Sequence, residues 1–245
     1  MYWLIVLISE PLLLNITYTV FCRVVPEMQQ TLYLSLTTFK TLISMQIQNF
    51  SVGILSTNCY VVSCPETKAA IIIDPGFDAS YEVEQITRFV DENALKVKFI
   101  VNTHGHPDHT RGDMVLKRKY NVPICIHRYD AHCLDGLGET IAPANIFLED
   151  NGLLTFGQMS LKVLHTPGHT LGGISLVGEK LVFTGDVLFA GGIGRTNFVG
   201  GSYRDMRWSL ERLMHLPDDY FVYPGHGAFS TIGKEKRVNP FLRWL

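Results

Sequence analysis

The chain lacks the marks of several large protein classes. Its five cysteines, Cys22, Cys59, Cys64, Cys125 and Cys133, are odd in number and show no C-x-x-C spacing. That argues against a disulfide framework, and the thiols read as small core residues of a reducing, cytoplasmic compartment. Neither sign of charge is in excess: 21 Lys and Arg stand against 23 Asp and Glu, a formal net charge of −2. Such a balance offers no basic field for nucleic acid. No apolar run reaches the roughly 20 residues that span a bilayer, because Glu10-Pro11 separates Met1–Ser9 from Leu12–Cys22. Nor does any Lys or Arg precede Trp3, as a secretory signal would require. Internal repeats and low-complexity linkers are absent too. Residues 1–44 are therefore expected to form an apolar N-terminal extension outside the fold. A weak membrane anchor is the second reading of that stretch, and a natural start at Met45 the third. Residues 45–245 are expected to be one domain, and 47% hydrophobic content suffices for its core.

What is present is concentrated in one place. Thr103-His-Gly-His-Pro-Asp-His109 sets His104, His106, Asp108 and His109 within six positions, in a chain with nine histidines. Val97, Phe99, Ile100 and Val101 precede it as a buried strand would, so the cluster falls where a strand meets a loop. In α/β proteins that is where ligands bind. In an extended segment residues i and i+2 point the same way, so His104 and His106 can grip one cation. Pro107 ends the extended run, and Asp108 and His109 then aim at a second point nearby. Imidazole and carboxylate are ligands for zinc, and they also suit iron or manganese.

Three further strands each run into a turn that presents one ligand-type side chain. Leu161–Leu164 leads to Thr166-Pro-Gly-His169, Leu181–Phe183 to Thr184-Gly-Asp186, and Tyr220–Tyr223 to Pro224-Gly-His226. His104, His106 and His169 would hold one metal, and Asp108, His109 and His226 a second. The two oxygens of Asp186 can bridge metals about 3.5–4 Å apart, as in two-metal hydrolases. Each ion would keep an open position for a shared water or hydroxide, the mark of a catalytic site. A hydroxide available at neutral pH would attack an electrophilic carbonyl. A thioester suits this site because its thiolate leaves without strong protonation. Asp108 would orient the hydroxide while ligating. Asp74, at a strand end, reads equally as a brace for a ligand histidine or as a turn-former before Pro75-Gly76. His127, His132, His165 and His215 read as structural, with His165 also a candidate support behind a ligand.

The ordered motifs Ile-Ile-Asp74-Pro-Gly, the histidine cluster, Thr-Pro-Gly-His169-Thr, Thr-Gly-Asp186, Gly-Ile-Gly194-Arg195-Thr and Pro-Gly-His226-Gly resemble the metallo-β-lactamase superfamily. Within it the chain looks like the short, single-domain glyoxalase II-like (hydroxyacylglutathione hydrolase-like) branch, over roughly residues 45–245. The closing Thr231-Ile-Gly-Lys-Glu235-Lys-Arg-Val-Asn239-Pro-Phe belongs to the same likeness. The resemblance implies a four-layer αββα sandwich, an α/β (α+β) fold, and carries over the seven metal ligands His104, His106, Asp108, His109, His169, Asp186 and His226. It implies two zinc ions per chain and a small-molecule thioester as partner. One departure is Asn197, where glyoxalase II-like and persulfide dioxygenase relatives often carry Asp. Another concerns the end of the chain: 19 residues follow His226, whereas full-length glyoxalase II enzymes continue into a helical domain that contacts glutathione. The likeness therefore does not carry over a thiol carrier. A mono-iron persulfide dioxygenase using His104, His169 and Asp186 is the alternative enzyme, and a structural metal-binding protein the non-enzyme alternative. No sequence feature addresses the oligomeric state.

Apolar patterning predicts strands near 46–51, 57–63, 69–74, 97–102, 122–127, 160–165, 173–177, 180–184 and 220–224. Val83, Ile86 and Val90 predict a helix over 79–93, and Met114 and Leu116 open another. Ser202, three residues before Asp205, predicts the N-cap of a helix running through Met206, Leu210 and Leu213.

Overall fold

The computed structural model describes residues 44–131 and 144–244. The expected extension, apart from Ser44, lies outside the described residues, as do His132, Cys22 and Cys133. Two six-stranded sheets face each other. The first holds β1 (Gln46–Val52), β2 (Thr57–Ser63), β3 (Ala69–Ile73), β4 (Lys96–Val101), β5 (Ile124–Ile126) and β6 (Ile146–Phe147), in that order. The second contains β7 (Leu153–Phe156), β8 (Met159–His165), β9 (Ile174–Gly178) and β10 (Leu181–Gly185). A short hairpin, β11 (Leu188–Phe189) and β12 (Gly192–Ile193), intervenes before β13 (Phe221–Pro224) and β14 (Ser230–Thr231) complete that sheet in the order β14-β13-β10-β9-β8-β7. Helices α1 (Ser80–Glu92), α2 (Pro107–Thr110), α3 (Asp113–Tyr120) and α4 (Tyr203–Met214) lie between the strands in sequence, and α5 (Ile232–Val238) follows the last of them.

The central strands are apolar on both faces because each sheet is covered twice. Side chains alternate along a strand, so Ile71 and Ile73 of β3 enter the cluster between the sheets with Phe156, Val163, Leu176 and Phe183. Ile72 points the other way, to Ile86 and Val90 of α1 and Leu116 of α3. In the second sheet Phe183 faces inward while Val182 packs outward against Met206, Leu210 and Leu213 of α4. Three apolar layers thus separate four structural ones, the expected αββα sandwich.

Strand direction decides where the loops go. β3, β4 and β5 are parallel, so their carboxyl ends share one edge of the first sheet. β8 and β10 each pair antiparallel with β9, and β10 is parallel to β13. β8, β10 and β13 therefore also run in one direction. Every candidate ligand follows the carboxyl end of one of these strands.

The helix over 79–93 is α1, and Ser202 caps α4 by accepting a hydrogen bond from the Asp205 amide at 3.2 Å. Some elements were not foreseen. β7 escapes a periodicity argument because it has four residues, joined to β8 by a turn in which Gly157 takes φ +60°. The histidine loop showed no helical pattern, yet Pro107–Thr110 forms one turn with proline at its first position, where the missing N–H costs nothing. α5 is a seven-residue, mostly polar helix containing Gly233, capped by Thr231. Among the described residues no helix is long and apolar enough to cross a membrane.

Candidate metal centre

β4 ends at Val101, and the residues after it are fixed before any ligand is reached. Asn102 is buried, and its Nδ2 donates to the His109 carbonyl at 3.2 Å and to Asp113 Oδ1 at 3.1 Å. Asp74, at the end of β3, accepts from the Thr103 amide and the Thr103 hydroxyl, each at 2.7 Å. Its Oδ2 also stands 3.0 Å from His109 Nδ1. Asp74 is thus a brace behind a candidate ligand as well as part of a turn. The contact assigns the Nδ1 proton of His109 to the Asp74 side and turns Nε2 inward.

All seven side chains singled out in the sequence come together. In the first triad, His104 Nε2 is 3.0 Å and His169 Nε2 2.9 Å from His106 Nδ1. In the second, His109 Nε2 and His226 Nε2 are 3.2 Å apart, and Asp108 Oδ2 lies 3.4 Å and 3.2 Å from them. Asp186 reaches both groups. Its Oδ1 is 3.4 Å from His109 Nε2, and its Oδ2 is 3.4 Å from His169 Nε2 and 3.5 Å from His226 Nε2. The donor atoms within each triad, and those of His104, His109 and Asp186, all lie within 4.8 Å of one another.

This donor set fits divalent cations. Two nitrogens on one tetrahedral zinc, each about 2.0–2.1 Å from it, stand roughly 3.3 Å apart, close to the separations seen here. Burial holds the His104 imidazole well below its ordinary pKa, with the neighbouring His109 adding to the effect. Burial and His169 lower His106 in the same way. Neutral rings whose nitrogens face one another have converging lone pairs, an arrangement a cation relieves. In the second triad the sign reverses. Burial opposes charge on His109, but Asp74 and Asp186 outweigh it and push the group up to about 9. His226 is raised against its burial by Asp108 and Asp186, while Asp108 is held below the usual carboxylate range by His226 and His109 despite burial. Asp186 Oδ1 is buried with no hydrogen-bond donor, which a carboxylate rarely tolerates unless something positive meets it.

The rings are held from behind. His104 Nδ1 is 3.2 Å from Thr103 Oγ1, His169 Nδ1 2.6 Å from the Arg195 carbonyl, and His226 Nδ1 3.1 Å from the Leu55 carbonyl. The turn carrying His226 is latched to the opposite sheet, because the Pro224 carbonyl accepts from the Tyr60 hydroxyl at 2.6 Å and from Asn58 Nδ2 at 3.0 Å. Gly225 permits close approach: a Cβ there would lie 2.2 Å from Asp186 Oδ1. At the rim Phe198 meets His106 and His169 edge-on at 5.4 and 5.8 Å, and Arg195 lies over its ring, 4.4 Å from the centre. Arg195 Nε donates to Asn197 Oδ1 at 3.2 Å, so the departure at Asn197 keeps a neutral contact. His165 is not among the converging donors; it stacks on His127 at 4.3 Å and contacts the Leu171 carbonyl. His215 contacts the Glu211 carbonyl within its own helix. Asn58, Tyr60, Asn102 and Asp130 were missed; Asn58, Tyr60 and Asp130 work through backbone groups of loops remote in sequence, and Asn102 through the nearby His109 carbonyl and Asp113.

The sandwich and its two triads at one edge agree with the comparison of sequences. The sequence model of the metallo-beta-lactamase superfamily matches residues 52–226. The chain belongs to this superfamily of metallo-hydrolases. It is 37% identical over 213 residues to hydroxyacylglutathione hydrolase GloC of Haemophilus influenzae, spanning 81% of this chain and 98% of that protein. Among solved structures it is similar to the BLEG-1 B3 metallo-beta-lactamase, with a TM-score of 0.75 and 32% identity over 81% of this chain and 100% of that one. It is likewise similar to TTHA1623 in a di-iron-bound form, with a TM-score of 0.70 and 31% identity over 80% of this chain and 100% of that one.

Proposed function

We propose that this chain is a binuclear metal-dependent hydrolase of thioesters. The observation that carries the reading is Asp186, which reaches both triads: Oδ1 stands 3.4 Å from His109 Nε2, and Oδ2 3.4 Å from His169 Nε2 and 3.5 Å from His226 Nε2. His104, His106 and His169 would hold one ion, Asp108, His109 and His226 the other, and Asp186 both. Zinc is the default, and iron the alternative suggested by the di-iron neighbour. Bound there, two such ions would supply a water deprotonated near neutral pH and positive charge at the substrate carbonyl oxygen.

The chain's own part is positioning. Asp108 Oδ2 faces both histidines of the second triad and accepts from Thr57 Oγ1 at 3.3 Å, so it can orient the water's remaining proton. Phe198 walls the first triad and limits bulk water there. Arg195 places a fixed positive charge beside that wall, where an anionic acyl group can be held. The net step adds water oxygen to the acyl carbon and breaks the carbon–sulfur bond. One of the water's protons goes to the thiolate sulfur and the other to solvent, leaving a carboxylate and a thiol. Thioester hydrolysis is supported over other carbonyl chemistry by the likeness to GloC.

The test is metal analysis of the purified full chain, followed by assays on a small hydroxyacyl thioester, a persulfide with oxygen uptake, and a β-lactam. Two ions per chain with thioester turnover support the reading. One iron per chain with oxygen uptake on the persulfide replaces it by the dioxygenase that uses His104, His169 and Asp186. Turnover of the lactam alone would move the chain toward its BLEG-1 neighbour.

A further inference from the structure

A buried carboxylate outside both triads ties together the two loops that form the first. Asp130 lies in the turn after β5 and is 1% exposed. Its Oδ2 accepts from the Gly105 amide at 3.0 Å, and its Oδ1 from the Gly172 amide at 2.6 Å. Gly105 stands between His104 and His106, on the loop leaving the first sheet. Gly172 follows His169 by three residues, on the loop leaving the second. Charge-assisted bonds to backbone amides are among the stronger ones, and burying a carboxylate is costly without such partners. Both partners are glycines, and a Cβ on Gly172 would come within 2.6 Å of Asp130. The same loops are joined independently by the Ile174 amide donating to the Thr103 carbonyl at 2.9 Å. Their docking therefore does not depend on Asp130 alone.

We propose that Asp130 is a positioning residue for the first metal position. It sets the separation of His104 and His106 from His169 while touching none of the three rings. The inference rests on the two-position reading above and adds an asymmetry to it. Asp74 contacts a ring of the second triad directly and reaches the first through Thr103, which stands behind His104; Asp130 bonds only the backbone on either side of the first triad's rings. Its removal should therefore weaken one position and spare the other.

The experiment titrates the metal-free full chain with zinc in competition with a fluorescent chelator, and with cobalt(II) while recording the ligand-field absorption. His169→Ala and His226→Ala assign each binding step to a triad. In Asp130→Asn the step lost in His169→Ala should weaken about ten- to a hundredfold, the scale for groups that orient ligands. The other step should change less than about twofold, with far-ultraviolet dichroism kept. The cobalt band of the first position should shift, and Asp130→Glu should restore it in part. Gly172→Ala displaces the carboxylate without deleting it and should give the same selective weakening, so it carries the test if Asp130→Asn fails to fold. Unchanged steps, or equal weakening of both, overturn the inference. A wild-type chain binding one ion, lost in His169→Ala and kept in His226→Ala, overturns the two-position reading, and the Asp130 comparison is then read on that ion. A single ion lost only in His226→Ala overturns both.

Discussion

The two triads lie side by side and share Asp186, yet they are built from different physics. The first is three imidazoles, two of which, His104 and His106, are held below their ordinary pKa by burial and by neighbouring imidazoles. The second sets two imidazoles against Asp108, with Asp74 behind, and there the carboxylates overcome burial. A neutral site holds a cation by the directions of its lone pairs, so angular errors matter most. A site with its own negative charge tolerates more misplacement, because Coulomb attraction falls off slowly with distance. The supports differ too: an edge-on aromatic ring and the Asp130 clamp stand by the first, while the second has a carboxylate against a ring and a latched His226 turn.

The largest effect should come from the residue the two share. Asp186→Ala is expected to lower activity about a thousandfold or more, roughly 4 kcal/mol of barrier, and to strip ions from both triads. Metal content measured beside kcat checks it, and full retention of both ions would break the shared-ligand assignment. Chelation comes next. With free ion at a hundred times its Kd, each occupied position adds about 2.7 kcal/mol of stability, or roughly 5–10 °C in Tm for a domain of this size. Calorimetry with and without chelator reads the shift, and a drop that His169→Ala or His226→Ala halves would show that both triads contribute.

Asp74→Asn should raise the second-position Kd about ten- to a hundredfold while the first stays within about threefold. Equal losses at both would show that Asp74 organises the whole edge rather than one triad. The smallest effect is expected from Asn197→Asp. It adds an ion pair with Arg195 at the rim, a surface contact worth about 1 kcal/mol or less. kcat/KM should therefore change by no more than a few fold, upward for a neutral acyl group if firmer placement of Phe198 is what matters.

Much of this was legible in the sequence, for reasons particular residues make plain. Ala69–Ile73 and Leu181–Phe183 are continuous apolar runs because both faces are buried, so the central strands announce themselves. The seven ligand-type side chains could be named because each follows such a strand. Asp74 illustrates the limit: its place at a strand end was visible, but only the fold shows His109 Nδ1 at 3.0 Å. Asp130 and Tyr60 were invisible for a deeper reason. Their partners are the Gly172 amide and the Pro224 carbonyl, 42 and 164 residues away, and backbone atoms leave no trace in residue identity. The two-residue strands were missed because they are too brief to show a period, and α5 because its one or two turns are mostly polar.

The division of the ligands between sheets bears on how the molecule assembles. Each triad takes two side chains from the loop after β4, in the first sheet, and one from the second sheet, His169 or His226. Neither sheet folded alone can therefore bind an ion through a full triad, and the chain must close loops of some sixty to over a hundred residues before either exists. Contacts of such sequence separation form late and slow the search. An ion held by the proposed ligands would then act as a ratchet on the docking of one sheet on the other. On that reading the apolar cluster between the sheets holds them together in either state, and metal-free chains are expected to exchange amide protons faster at the site edge than loaded ones.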